Sequence, residues 1–209
     1  MMKNYLFLFI LIATSQVFSQ EVYLNTGKNF TKYIYKNSLG QSNSNLQSGT
    51  GNFYEVGLTK PFTKKNMLYS FGLSLNEYNA IGGIASSSYR WDTKYLGVQG
   101  GLSYSFFPYS TGSKNNLDFL IKTGLKGATI IYGKQEIDGI YYDLVHQKEF
   151  SGIVLEPSIG FQVKYHILSF GFLSIGYNFC KSLNISNTTE EKLSFNTHQI
   201  QLGFHFPIK

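Results

Sequence analysis

One cysteine and four prolines are all that the 209 residues contain. A lone thiol, Cys180, permits no intrachain disulfide, which excludes a disulfide-stapled scaffold. So few prolines exclude collagen-like and Pro-rich low-complexity chains. Charge is also scarce: Asp, Glu, Lys and Arg make up 14% of the residues, against about 25% in an average domain. No apolar run reaches the roughly 20 residues that a membrane-spanning helix needs. Zinc spacings, EF-hand loops, P-loops and dinucleotide fingerprints are missing too, so no metal or cofactor is expected.

Against these absences stand 21 Gly, 16 Tyr and 18 Phe, with aromatics at 17% and hydrophobic residues at 43%. Mean hydropathy is nevertheless only −0.12, because Ser, Asn, Thr, Gln and Gly replace the missing charge. So many aromatics with a net charge of only +6 exclude intrinsic disorder.

Residues 1–19 read as a secretory signal peptide, with Lys3 in a basic n-region, an apolar stretch from Tyr5 to Ala13, and Val17 and Ser19 preceding cleavage. Residues 20–209 then form one exported domain, and the loss of Lys3 takes the charge from +6 to +5.

Alternation is the dominant pattern. Tyr69, Phe71, Leu73 and Leu75 alternate with Ser70, Gly72, Ser74 and Asn76; Ile200, Leu202, Phe204 and Phe206 alternate with Gln199, Gln201, Gly203 and His205. A period of two sends one set to each face of a strand. Eight such strands are expected near 22–36, 50–60, 67–78, 93–107, 117–133, 150–165, 167–180 and 193–206. In the seventh, the apolar phase slips between Phe172 and Leu173, which implies a bulge or an apolar inner patch. The connectors 37–49, 79–92, 134–149 and 181–192 are long and polar, and those at the other end are shorter. Alternating short turns and long loops describe an all-β, eight-stranded, antiparallel up-and-down transmembrane β-barrel.

The face assignment follows from chemistry. One face is almost purely aliphatic and aromatic and would aggregate in water, whereas it suits lipid. The other carries Gly, Ser and a balanced charge set: Glu55, Asp118 and Glu156 with Lys122, Lys126 and Lys164. Eight strands enclose room for side chains only, so these charges are expected to pair as a salt-bridged plug. A single fifth-to-sixth-strand register places Asp118 opposite Lys164 and Lys126 opposite Glu156. Girdle aromatics are expected at the rims: Phe106, Phe107, Tyr109, Phe119, Tyr165 and Phe206 at one, Tyr78, Tyr89, Trp91, Tyr95, Tyr132 and Tyr177 at the other.

Gly27-Lys28-Asn29-Phe30-Thr31, Tyr54-Glu55-Val56-Gly57 with Lys60-Pro61-Phe62, and Leu155-Glu156-Pro157-Ser158-Ile159-Gly160 resemble the small outer-membrane β-barrel family common in Bacteroidota, the PorT-like or outer membrane protein β-barrel group. The resemblance covers residues 20–209. It implies residence in a bacterial outer membrane and, as one alternative, an accessory part in protein secretion.

Lys32, Lys36, Arg90, Lys94, Lys134, Lys148, Lys181 and Lys192 fall near the outer strand ends, where lipopolysaccharide phosphates lie. They form no single run, so the pI of 9.2 does not signal nucleic acid. Lys64 and Lys65 are expected to face the periplasm. Tyr89, Trp91, Tyr141 and Tyr142 are candidates for binding an extracellular protein partner. A catalytic set from His146, Asp138, Asp143 and Ser86 to Ser88 is the weaker reading, and His198 and His205 point to opposite faces. The expectation is a monomeric, non-enzymatic barrel with a structural or surface-interaction role. The alternatives are a narrow ion or small-solute channel, the secretion role and, last, a lipid A-modifying enzyme.

Overall fold

The computed structural model describes residues 20–37, 39–41, 46–62, 66–84, 87–107, 116–167, 171–184 and 192–208. The segment 1–19, expected as a signal peptide, together with Lys64, Lys65, Ser86 and Tyr109, lies outside them. Among the described residues eight long strands close into an antiparallel ring. They are β1 (Gln20–Lys36), β2 (Leu46–Pro61), β3 (Met67–Ile84), β4 (Ser87–Ser105), β5 (Leu117–Ile137), β7 (Ile153–Ile167), β8 (Gly171–Lys181) and β10 (Lys192–Ile208). Two short strands, β6 (Ile140–Asp143) and β9 (Leu183–Asn184), extend the sheet at one end. Closure comes from β1 pairing with β10, in a register running from Gln20 opposite Ile208 to Lys36 opposite Lys192.

The fifth-to-sixth-strand pairing is β5 with β7, and its register sets Asp118 opposite Lys164 and Lys126 opposite Glu156. In β8 the ladders to β7 and β10 run without a shift, so the phase slip at Phe172 is an inner apolar patch and not a bulge. Bulges lie elsewhere, at Ser48/Phe53 between β2 and β3 and at Lys94/Tyr95 between β4 and β5. The second leaves Ile131 and Tyr132 both exposed and inverts the phase of β5 above it.

Two expected loops are strand instead. β3 and β4 stay paired up to Ile84 opposite Ser87, through the segment 79–92. β5 continues to Ile137 and turns through Asp138 and Gly139, both at positive φ, into β6. An Asp-Gly pair with two left-handed residues fits a two-residue hairpin.

The sense of the alternation explains why these segments escaped the sequence pattern. In the lower half of the barrel, which holds Gln20 and Ile208, polar groups such as Asn25, Ser74, Gln162 and Gln201 point inwards and are buried, while Leu73, Val98, Ile121 and Leu202 are exposed. In the upper half the polarity reverses. Tyr33, Tyr78, Trp91, Tyr95, Phe150 and Phe195 fill the interior, and Asn79, Arg90, Asp92 and Lys94 face outwards. An apolar exterior requires lipid and a polar exterior requires water. The lower half is therefore the membrane span, and the upper half stands above it on the side of the longer loops.

Tyr78, Trp91 and Tyr95 accordingly leave the expected girdle and join the upper core. Burial of each ring stabilises the fold by about 1.5–3 kcal/mol. Tyr132 remains exposed at the outer rim, as do Phe106, Phe107, Phe119, Tyr165 and Phe206 at the lower one.

Candidate functional site

Just beneath the upper core, inward phase on β3, β5 and β7 brings Tyr78, Lys126 and Glu156 together. Lys126 Nζ lies 3.0 Å from Glu156 Oε2 and donates to the Tyr78 hydroxyl at 2.6 Å. Tyr78 in turn donates to both Glu156 oxygens at 2.9 Å. All three side chains are buried. The triad is thus a closed loop of charge-assisted bonds, with each partner satisfied within it. Asn29, Asn76 and Gln199 form a polar layer at a similar level, with Gln199 donating to Asn29 at 3.0 Å.

At the lower end the charges pair differently from the sequence expectation. Lys164 stands opposite Asp118 in the register, yet its ammonium bonds Glu21 at 2.7 Å, across the barrel on β1. Asp118 instead accepts from Ser105 Oγ at 2.7 Å and from the Phe107 amide at 3.1 Å. Lys164 is long enough to span the lumen, and Asp118 is already satisfied by its own hairpin. The Lys164 ammonium also sits 5.6 Å from the Phe172 ring centroid, which gives the inner apolar patch a cation–π partner. His205 completes this cluster: its Nε2 lies 3.0 Å from Ser174 Oγ and its Nδ1 lies 3.6 Å from Glu21.

Between the two clusters lie Glu55 and Lys122. The Tyr23 hydroxyl lies beside Glu55 and Gln99. It rests against Gly57 and Gly72, where an added Cβ would fall 2.5 and 2.7 Å from the phenol oxygen. Lys122 makes no ion pair within 4.0 Å among the described residues and borders two polar cavities, of about 50 and 10 Å³. At about 10–15 Å³ per water, they hold a few water molecules and no wide passage. Upwards the way is closed by the aromatic core.

Three features are now in place: a closed ring of eight antiparallel strands, an apolar outer band and a polar, filled lumen. The chain has the fold of a bacterial outer-membrane β-barrel. It is similar in structure to Neisserial surface protein A, with a TM-score of 0.54 and 12% identity over 90% of this chain and 96% of that one. It is also similar to the outer membrane protein OprG from Pseudomonas aeruginosa, with a TM-score of 0.51 and 10% identity over 90% and 96%. The outer membrane protease OmpT from Escherichia coli gives a TM-score of 0.51 and 6% identity over 92% and 97%. Neither a protein-family model nor a curated protein matches the chain. Fold and lipid-facing band together place the barrel in the outer membrane.

The upper rim of the barrel separates the loop candidates. Trp91 is not displayed for binding: its ring packs edge-on against Phe150 at 5.2 Å and against Tyr33 at 5.3 Å. Tyr89 is half-buried beside it at 6.1 Å. Tyr141 and Tyr142 on β6 are exposed, with the Lys134 ammonium 5.5 Å from the Tyr141 ring. His146 Nδ1 bonds the Asp143 carboxylate, while Asp138 accepts from the Ser88 amide at 3.2 Å. The two acids of the candidate catalytic set are thus engaged at separate points, each by a backbone amide and Asp143 also by His146. His198 faces outwards, 2.6 Å from the Tyr177 hydroxyl, and His205 inwards.

The sequence pattern singled out Lys126, Glu156, Asp118, Lys122, Lys164 and Glu55 as the inner charges, put Tyr78 in the outer girdle and His205 on the polar face without a partner, and did not single out Glu21. Phase alone carries the signal for Glu21, which shares the inward set of β1 with Tyr23 and Asn25.

Proposed function

We propose that this barrel is a non-enzymatic, monomeric outer-membrane protein that acts through its cell-surface rim, with the lumen serving as structural filling. The carrying observation is the upper core. Tyr33, Tyr78, Trp91, Phe150 and Phe195 seal the end of the barrel that faces the cell exterior, directly above the Lys126–Glu156–Tyr78 triad. A route for ions or solutes would have to cross both layers. Among the described residues the β5–β6 hairpin with Tyr141 and Tyr142 reaches the outside, a surface of aromatic and basic character suited to a protein partner.

The PorT-like motifs support membership of the Bacteroidota group of small barrels, and with it an accessory part in a secretion system as the more specific role. Cleavage of the 1–19 segment as a signal peptide belongs to the same reading.

Recording purified, refolded protein in planar bilayers tests the filled lumen. The expected trace is flat at neutral pH. Steady nanosiemens-scale conductance from the wild type would replace this reading with the channel.

A further inference from the structure

The outer rim is electrostatically one-sided. On the β3–β5 wall the outward strand acids Glu77, Asp92 and Glu136 each meet a base. Arg90 pairs with Asp92 at 3.3 Å and with Glu136 at 3.0 Å, and Lys94 pairs with Glu77 at 3.1 Å. Lys134 stands opposite Asp143 in the β5–β6 register.

The wall made by β8, β10 and β1 is built otherwise. These strands contain one acid, Glu21, and it points into the lumen. Their registers stack two kinds of outward row. Phe30 lies opposite His198, which lies opposite Phe179. Two residues higher, Lys32 lies opposite Asn196, which lies opposite Lys181. Four residues above that, about 13 Å along the strand, Lys36 lies opposite Lys192. All four lysines are exposed, and among the described residues none pairs with an acid.

The Phe30–His198–Phe179 row, with the Tyr177 hydroxyl bonded to His198, marks the upper edge of the apolar band, and Lys28 below it is held by Asn52 at 2.7 Å. Ammonium groups immediately above it, without an acid partner among the described residues and including two directly opposite each other, repel one another unless an anion lies between them. The partner supplied at that depth on the outer leaflet is phosphate carried by lipid.

We infer that Lys32, Lys36, Lys181 and Lys192 form a binding surface for the phosphorylated head group of an outer-leaflet glycolipid, confined to the β8–β10–β1 wall. Two tiers of lysine separated by four residues grip phosphates at two heights. The opposite wall, neutral by its own ion pairs, leaves the lipid contact oriented to one side. The β5–β6 hairpin rises from that neutral wall, so a lipid on the basic wall leaves it uncovered.

The test uses full-length protein folded in nonionic detergent and fluorescently labelled lipopolysaccharide, followed by anisotropy. The Lys32→Gln/Lys36→Gln/Lys181→Gln/Lys192→Gln variant is expected to bind roughly tenfold more weakly or worse. The Arg90→Gln/Lys94→Gln control stays within about twofold, since both bases are already paired. The corresponding four-site Lys→Arg variant keeps the charge and binds as the wild type does. Each variant is first shown to be folded by its heat-dependent gel shift, and the Arg variant carries the test if the Gln variant does not fold: binding of phosphate-stripped lipopolysaccharide to it must fall by a similar factor. Equal losses from the two walls, or undiminished binding of phosphate-stripped lipopolysaccharide, overturn the inference. So does self-association that depends on the four lysines while lipid binding does not.

Discussion

Lys126 and Glu156 face each other across the β5–β7 ladder, their charges 3.0 Å apart, with the Tyr78 hydroxyl bonded to both. The pair lies at the level where the barrel changes character. Below it the wall is apolar outside and polar inside; above it the order reverses. A buried ion pair bridged by a tyrosine hydroxyl ties three strands together and forms the floor on which the upper aromatic core stands.

Removal of one member leaves the other charged and unpaired. Glu156→Gln or Lys126→Met alone is expected to destabilise the barrel by about 3–5 kcal/mol. The Lys126→Met/Glu156→Leu double variant costs clearly less than the sum, since no charge is stranded. Urea unfolding in detergent micelles, read as a double-mutant cycle, measures this coupling.

Gly72 and Gly100 make a matched pair. A Cβ on Gly72 would meet the Val56 carbonyl oxygen at 2.6 Å and the Tyr23 hydroxyl at 2.7 Å, whereas on Gly100 its nearest neighbour would be Ser70 O at 3.8 Å. Gly72→Ala should therefore cost about 1–3 kcal/mol through overpacking. Gly100→Ala should be close to neutral in the same unfolding assay.

Trp91 reports on the upper core because it is the one tryptophan in the chain. Its contacts with Phe150 and Tyr33 exclude water, so its emission in the folded state is expected to be blue-shifted. Phe150→Ala should move the emission to the red and cost about 3–5 kcal/mol. A spectrum indifferent to that substitution would mean that the ring lies in water.

The fold was legible where the exterior touches lipid. Leu73, Val98 and Leu202 alternate with small polar residues, and from that contrast both strands and faces could be read. Above the membrane the same period of two persists with the opposite sense. Asn79, Arg90 and Asp92 are outward strand residues, although their polarity reads as loop. Trp91 and Tyr95 were assigned to the surface for the same reason. Within the lumen, adjacent-strand register was recoverable from charge, as Lys126 and Glu156 illustrate. The Lys164–Glu21 pair joins strands that are not neighbours, and no cross-strand rule reaches across a lumen.

The β6 loop offers a pH response outside the membrane. The His146 hydrogen bond, aided by the Val145 amide, holds the Asp143 carboxyl below the usual aspartate range. A depressed value in the folded state means that the contact contributes fully above the ordinary aspartate pKa of about 4 and fades as pH falls through the lowered one. Carboxyl-carbon NMR should show Asp143 titrating below an ordinary aspartate. His146→Ala should return it upwards, and an unchanged titration in that variant would remove His146 as the cause.

The reversal of polarity along the wall is the central claim, and cysteine labelling in intact outer membranes tests it most directly. In a Cys180→Ser background, single cysteines replace outward residues of both halves: Leu73, Leu96 and Leu202 below, Asn79, Asp92 and Ser194 above. The account predicts rapid reaction of the upper three with a membrane-impermeant maleimide added to whole cells and protection of the lower three. Comparable reactivity in both sets would contradict it.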